Sequence, residues 1–205
     1  MYKALGATWF SDQTVLKFTS GTYTGTATVN LAGQTGTSIN FNAGVGTLVV
    51  GDIITFGGVN AVNRVTKQST GELRQFVVTV AVANMAVAGS ISIYPSLIPS
   101  SGGSAVQYQT VDNSPGNLAA ISLVLNASQQ YRKNFRYSPM AVTMATGDLP
   151  LPANKVVARH KYDNVSMRAI TDYMIGTDQE ITRLDVLFGS LVIRPEWMCV
   201  IPDII

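Results

Sequence analysis

Charge is scarce in this chain: only 13% of its 205 residues are Asp, Glu, Lys or Arg, about half of the ~25% common in soluble domains. Fourteen basic and twelve acidic side chains leave a net charge of +2, and no basic tract gathers the positive charge into a nucleic-acid-reading stripe. A single histidine, His160, lies between Arg159 and Lys161. Two flanking cations would disfavour its protonated form without orienting it for a nucleophile triad, so it reads as a surface strand residue. A single cysteine, Cys199, permits no internal disulfide. In the apolar run WMCVI it reads as a small buried hydrophobe rather than a reactive thiolate. One His and one Cys cannot close a four-ligand metal shell. No Walker or dinucleotide glycine pattern occurs, and the closest carboxylate pair, Asp178 and Glu180, falls in a polar turn. The reading is therefore no enzyme, no cofactor and no metal.

Long uninterrupted apolar runs are also missing. The charge-free stretch from Gln75 to Val111 contains FVVTVAVANMAVAGSISIYPSLI, but Thr79, Asn84, Gly89, Ser90, Ser92 and Pro95 break it. Its Ser/Ile alternation has the period of a strand, not of a membrane helix. The N-terminus lacks the charged-then-apolar build of an export signal.

What the sequence does have is period-two patterning. TYTGTATVNL, SINF, LVVGDIITF, QFVVTVAV and SISIY read as strands punctuated by Gly and Asn turns, so residues 14–98 are expected to form a small barrel or sandwich after a lead-in segment, 1–13. Gly51-Asp52 reads as a tight turn closed by the aspartate side chain. The segment NRVTKQSTGELR, 63–74, holds all the charge between Asp52 and Asp112 and reads as a solvated loop or hairpin tip. Pro95, Pro99 and SSGGS at 100–104 mark a composition break, placed as a boundary at 98/99. Beyond it Asn113-Ser114-Pro115 could open a helix. The run AAISLVLNA fits helix or strand. YRKNFRY alternates as a strand, and Ser138-Pro139 with Gly147 predicts a short helix over MAVTMAT. KVVARHKY, VSMRAITDYMI, LDVLFGSLVI and MCVIPDII predict one antiparallel sheet, with the terminal Ile204-Ile205 packed.

Two further stretches carry a family resemblance: YRKNFRYSPMAVTMATGDLPLP at 131–152 and VSMRAITDYMIGTDQEITRLDVLFGSLVIRPEWMCVI at 165–201. With Arg168, Tyr173, Ile175, Arg183, Leu184, Asp185, Gly189, Arg194, Pro195 and Glu196 in register, the chain resembles the C-terminal part of a major capsid (coat) protein of tailed double-stranded DNA bacteriophages. The likeness is to the short-tailed-phage branch with a β-barrel inserted in the shell fold. VGDIITFGGVNAVNRVTKQSTGELRQFVV resembles that inserted barrel. The resemblance implies an α+β, predominantly β chain: the barrel at 14–98, then part of the Hong Kong 97 capsid fold, with axial and peripheral elements, at 99–205. It further implies a structural protein that self-assembles into pentamers and hexamers of an icosahedral shell enclosing DNA without sequence-specific binding. The implied partners are scaffolding and portal proteins, with no membrane, and the implied location is the virion capsid after assembly in the host cytoplasm. Because family members are longer, the chain is read as the C-terminal part of a coat protein or as one of two coat chains. A β-rich binding or adhesion module on a virion or cell surface is the alternative, and a hydrolase with dispersed acids a distant third.

On this reading Lys67, Glu72, Arg74, Arg194 and Glu196 are expected at intersubunit contacts, where rim ion pairs set register. Arg183, Asp185, Gly189 and Pro195 form a structural motif. Arg183 and Asp185 share one strand face, and Leu184, Val186 and Phe188 share the other. Gly189 is expected where another backbone would collide with a side chain, and Pro195 at a sheet edge.

Overall fold

In the computed structural model the described residues are 2–4, 6–101 and 103–204. Their regular secondary structure is almost all strand, and the chain divides into two compact units, Met1–Lys133 with Pro202–Ile205, and Asn134–Ile201.

The first unit is organised by alternation. β1 (Tyr2–Ala4) and β2 (Ala7–Trp9) pair as a hairpin, and β3 (Lys17–Thr19) pairs later with the start of β9 (Gln130–Tyr137). The main sheet is built from β4 (Gly36–Phe41), β5 (Ile53–Val62), β6 (Ser69–Val78), β7 (Gly89–Leu97) and β8 (Ile121–Leu123), in the order β4-β7-β6-β5-β8. Each strand turns every second side chain inward: Ile39 and Phe41, Ile54 and Phe56, Phe76 and Val78, Ile91 and Ile93 are all buried. The Phe56 and Phe76 rings pack tilted, 5.4 Å apart.

The two outer strands do not remain free edges. Thr28 bridges Ala120 on one side and Val29 bridges Phe41 on the other. The amide of Val29 donates to Ala119 O at 2.9 Å, and that of Asn42 donates to Thr28 O at 2.8 Å. A short stretch of backbone thus closes the sheet into a barrel and satisfies both edges. Tyr23 holds the closure from inside: its buried hydroxyl donates to Ile121 O at 2.7 Å and accepts from the Ala27 amide at 3.0 Å. Backbones approach closely here, and a Cβ on Gly46 would lie 2.6 Å from Thr22 O, with φ at +104°.

The SSGGS break is not where the compact units part. Past it, Val111 and Ile121 enter the barrel core, β8 pairs with β5, and Asp112 accepts the Asn60 amide at 2.8 Å and its side-chain amide at 2.9 Å. The Pro- and Gly-rich stretch is a connection that returns to the same barrel, and the division falls after Lys133. No helix forms at 113–115, and within AAISLVLNA only Ile121–Leu123 form a strand, followed by bends and a turn.

The second unit contains β10 (Val142–Gly147), β11 (Val156–Tyr162), β12 (Val165–Met174) and β13 (Gln179–Val192), in the order β10-β13-β12-β11, all antiparallel. The short helix expected over MAVTMAT is instead β10. Its six residues ladder with Leu187 to Val192, while Ser138 O takes the Ala141 amide in a turn at 2.8 Å, so pairing across the chain overrides local propensity. β14 (Met198–Ile204) lies not in this sheet but in a separate one, ordered β14-β9-β3. As an edge strand it leaves Cys199 exposed rather than buried. Ile204 is likewise exposed, not packed, and Ile205 lies outside the described residues.

Candidate assembly surface

The register of the second unit assigns every strand residue to a face, because directly paired residues point the same way. Met167 pairs with Val186, Ala169 with Leu184, His160 with Met167, Val156 with Thr171, and Thr146 with Phe188. One face therefore carries Met144 of β10, Val156 and Tyr162 of β11, Met167 and Tyr173 of β12, and Leu184, Val186, Phe188 and Val192 of β13. All nine are open to solvent, Leu184 and Phe188 at 65% each. The only ionisable groups on this face other than its tyrosine hydroxyls are His160 and Glu180, towards opposite ends of β12 and its neighbours. In the whole second unit only Ala141 and Ser166 are buried.

The opposite face is charged and internally paired. Asp185 accepts from Arg168 Nη2 at 2.6 Å across the β12–β13 ladder and from Arg183 Nε at 2.8 Å along its own strand. The Arg168 bond, then the Arg183 bond, hold the Asp185 carboxyl below the usual carboxylate range. Lys155 pairs with Asp172, and Arg159 lies 3.8 Å from Asp148.

The other residues singled out from sequence lie elsewhere. A Cβ on Gly189 would meet nothing within 4 Å; opposite it stands the small Ala145, so no collision enforces glycine there. Pro195 opens a 3₁₀ turn, Pro195–Trp197, rather than lying on a strand edge, where its missing N–H costs nothing. Arg194 lies over the Trp197 ring, 4.4 Å from its centroid. Arg194 thus stands at the N-cap of this turn between β13 and β14, and Glu196 lies within it.

In the first unit, residues 63–68 form the tip of the β5–β6 hairpin, with Asn63 Oδ1 accepting the amides of Val65 and Thr66. Lys67 Nζ donates to Gln107 O at 3.0 Å, tying the tip to the 3₁₀ turn Gly103–Tyr108. Glu72 and Arg74 lie within β6, Glu72 exposed and Arg74 half-buried with its Nε lacking a hydrogen-bond partner. Lys67, Glu72 and Arg74 thus belong to the first unit, and Arg194 and Glu196 to the second.

Sequence reasoning missed the cross-strand half of the apolar face, Met144, Val156, Tyr162 and Met167. It also missed a buried pocket of charge in the barrel. The Asp52 carboxylate accepts the Val49 amide at 2.8 Å and the Gly21 amide at 3.2 Å, and burial raises its pKa. Nearby, Lys133 Nζ donates to Gly51 O at 2.9 Å and sits 3.4 Å over the Phe18 ring. The Gly51-Asp52 pair flagged this turn, but Lys133 had no sequence signal. Among the described residues, no group of three or more His, Cys, Asp or Glu is placed to hold a metal, and no helix is long and apolar enough to cross a membrane.

A family model described as "P22 coat protein - gene protein 5" matches residues 11–201. Among solved structures, the chain is similar to one described as the CUS-3 coat protein I-domain, at 28% identity and a TM-score of 0.33, covering 55% of this chain and 98% of that one. No curated protein matches the chain.

Proposed function

The chain belongs to the P22 coat protein family, whose role in a phage capsid is structural, and from that premise we propose that copies of it self-assemble into the icosahedral shell enclosing phage double-stranded DNA. The observation that carries the proposal is the second unit: a regular antiparallel sheet that buries only two of its residues. A sheet with a bare apolar face is marginal alone and gains stability when another layer covers it. A shell supplies such layers by repetition of the same subunit. In this reading the barrel is the inserted domain and the sheet is part of the capsid core. Pentamers and hexamers form from the subunit, and scaffolding and portal proteins act during assembly in the host cytoplasm. DNA is enclosed without sequence-specific contacts. Glu72, Arg74, Arg194 and Glu196 serve as rim contacts, and Lys67 contributes by fixing the hairpin that presents two of them.

Sedimentation and electron microscopy of the purified chain test this. Rings, capsomers or shells are expected; a species that stays monomeric at every concentration and with scaffolding protein added would overturn the proposal. Discrete trimers without higher forms would instead favour a binding module.

A further inference from the structure

We propose that the apolar face of the β10-β13-β12-β11 sheet docks a second copy of this chain, sheet against sheet, in a two-fold arrangement. This deepens the shell reading and rests on it. The first reason is area. The nine large side chains on the face, taken at their exposures, offer roughly 1,000 Å² (full side chains of this size present ~100–250 Å²), against the ~800 Å² per partner of a standard interface and the few hundred of an incidental patch.

The second reason is charge. A face meeting its own copy must not repel it. The opposite face carries Arg159, Lys161, Arg168 and Arg183 against Asp172 and Asp185, with its ion pairs already made within the subunit, so pairing it with itself would bury charge and leave an excess of cations opposed. The apolar face carries only His160 and Glu180 among ionisable groups other than tyrosine, at opposite ends of the ladder: His160 pairs with Met167 near one end and Glu180 with Tyr173 at the other. A two-fold axis crossing the strands lays the His160 end of each copy over the Glu180 end of the other. The third reason is shape: large alternating side chains such as Leu184, Val186 and Phe188, standing off a regular ladder, interdigitate at the ~10 Å spacing of packed sheets.

The test uses the full chain in analytical ultracentrifugation. Leu184→Asp and Phe188→Asp should weaken dimerisation at least ~100-fold, while Leu191→Asp on the charged face should change it less than ~3-fold, with the barrel's thermal transition unchanged in all three. In a Cys199→Ser background, Leu184→Cys, on the rung next to the two-fold axis, should be captured as a covalent dimer by a short bis-maleimide, which keeps the idea testable if an aspartate variant fails to fold. A wild-type chain that forms capsomers or shells undisturbed by Leu184→Asp and Phe188→Asp would overturn the docking while leaving the shell reading intact. A different polypeptide found covering the face would do the same. A chain that never associates would overturn both.

Discussion

The barrel and the open sheet use the same material differently. Both are antiparallel, both alternate, and both carry large apolar side chains on every second position. In the barrel those side chains point at one another, and Ile54, Phe56, Phe76 and Ile91 are each 0% exposed. In the sheet they point at solvent. The lesson is that apolar alternation specifies a strand but not its cover: curvature and closure decide whether a sheet supplies its own partner layer or waits for one from outside.

The sharpest way to break the comparison is to remove one ring from each side. Phe76→Ala should cost the barrel about 3–5 kcal/mol, through lost burial and the cavity left beside Phe56, whereas Phe188→Ala should stay within about 0.5 kcal/mol in the unassembled chain. Urea melts followed by tyrosine and tryptophan fluorescence separate the two, and equal costs would dissolve the contrast. Glycines give the next effect. Gly46→Ala forces a Cβ to within 2.6 Å of Thr22 O in a left-handed backbone and should destabilise by about 1–3 kcal/mol. Gly189→Val, which meets open space, should melt within about 0.5 kcal/mol of the parent chain. Tyr23→Phe strands the Ala27 amide and the Ile121 carbonyl inside the barrel and should cost about 1–3 kcal/mol, read from its thermal midpoint; no polar bridge on the sheet's apolar face has that leverage.

The smallest effects are pH-dependent and differ in sign. Asp185 is held low by Arg168 and then Arg183. Burial would raise Asp112, but bonds from Asn60, Asn113 and Ser69 bring it below its ordinary value. For both, the stabilisation is present above the unfolded carboxylate pKa and is lost as pH falls through the folded one. Asp52 is the reverse: burial raises its folded pKa, so its contribution is complete below the unfolded pKa and is lost as pH rises through the folded value. Melts of Asp52→Asn should therefore gain on the parent chain as pH climbs out of the acid range. Melts of Asp112→Asn should lose ground over the same climb, and parallel pH curves for the two variants would refute the assignments.

The strands SINF, IITF, QFVV and SISIY were legible in the sequence because alternation is local. β10 was not, because Ser138-Pro139 and a Met/Ala-rich run favour a helix until pairing with Leu187 to Val192 takes over. The division after Lys133 was hidden for the same reason: the Gly- and Pro-rich break is a local signal, whereas the return of Val111 and Ile121 to the barrel core is not. In the candidate surface, Leu184, Val186 and Phe188 announced their common face. Met144, Val156, Tyr162 and Met167 join them only once the registers are known. Gly189 and Pro195 carried the expectations of a packed strand and a sheet edge. The one faces open space and the other opens a turn, outcomes set by neighbours that no local window contains.

The Thr28–Val29 closure also dictates an order of events. The bridge joins an early stretch of chain to Ala120, at the start of β8, the last strand of the barrel, so its loop-closure entropy is the largest of any pairing in the sheet and is recovered only when the rest already stands. The barrel is thus expected to latch last. Until it does, β4 and β8 present unpaired backbone, and newly made chains at high concentration are exposed to edge-to-edge pairing. A polypeptide produced in bulk for a repeating particle meets that hazard with every copy, and the speed at which two residues find their bridge sets how much of it reaches a soluble state.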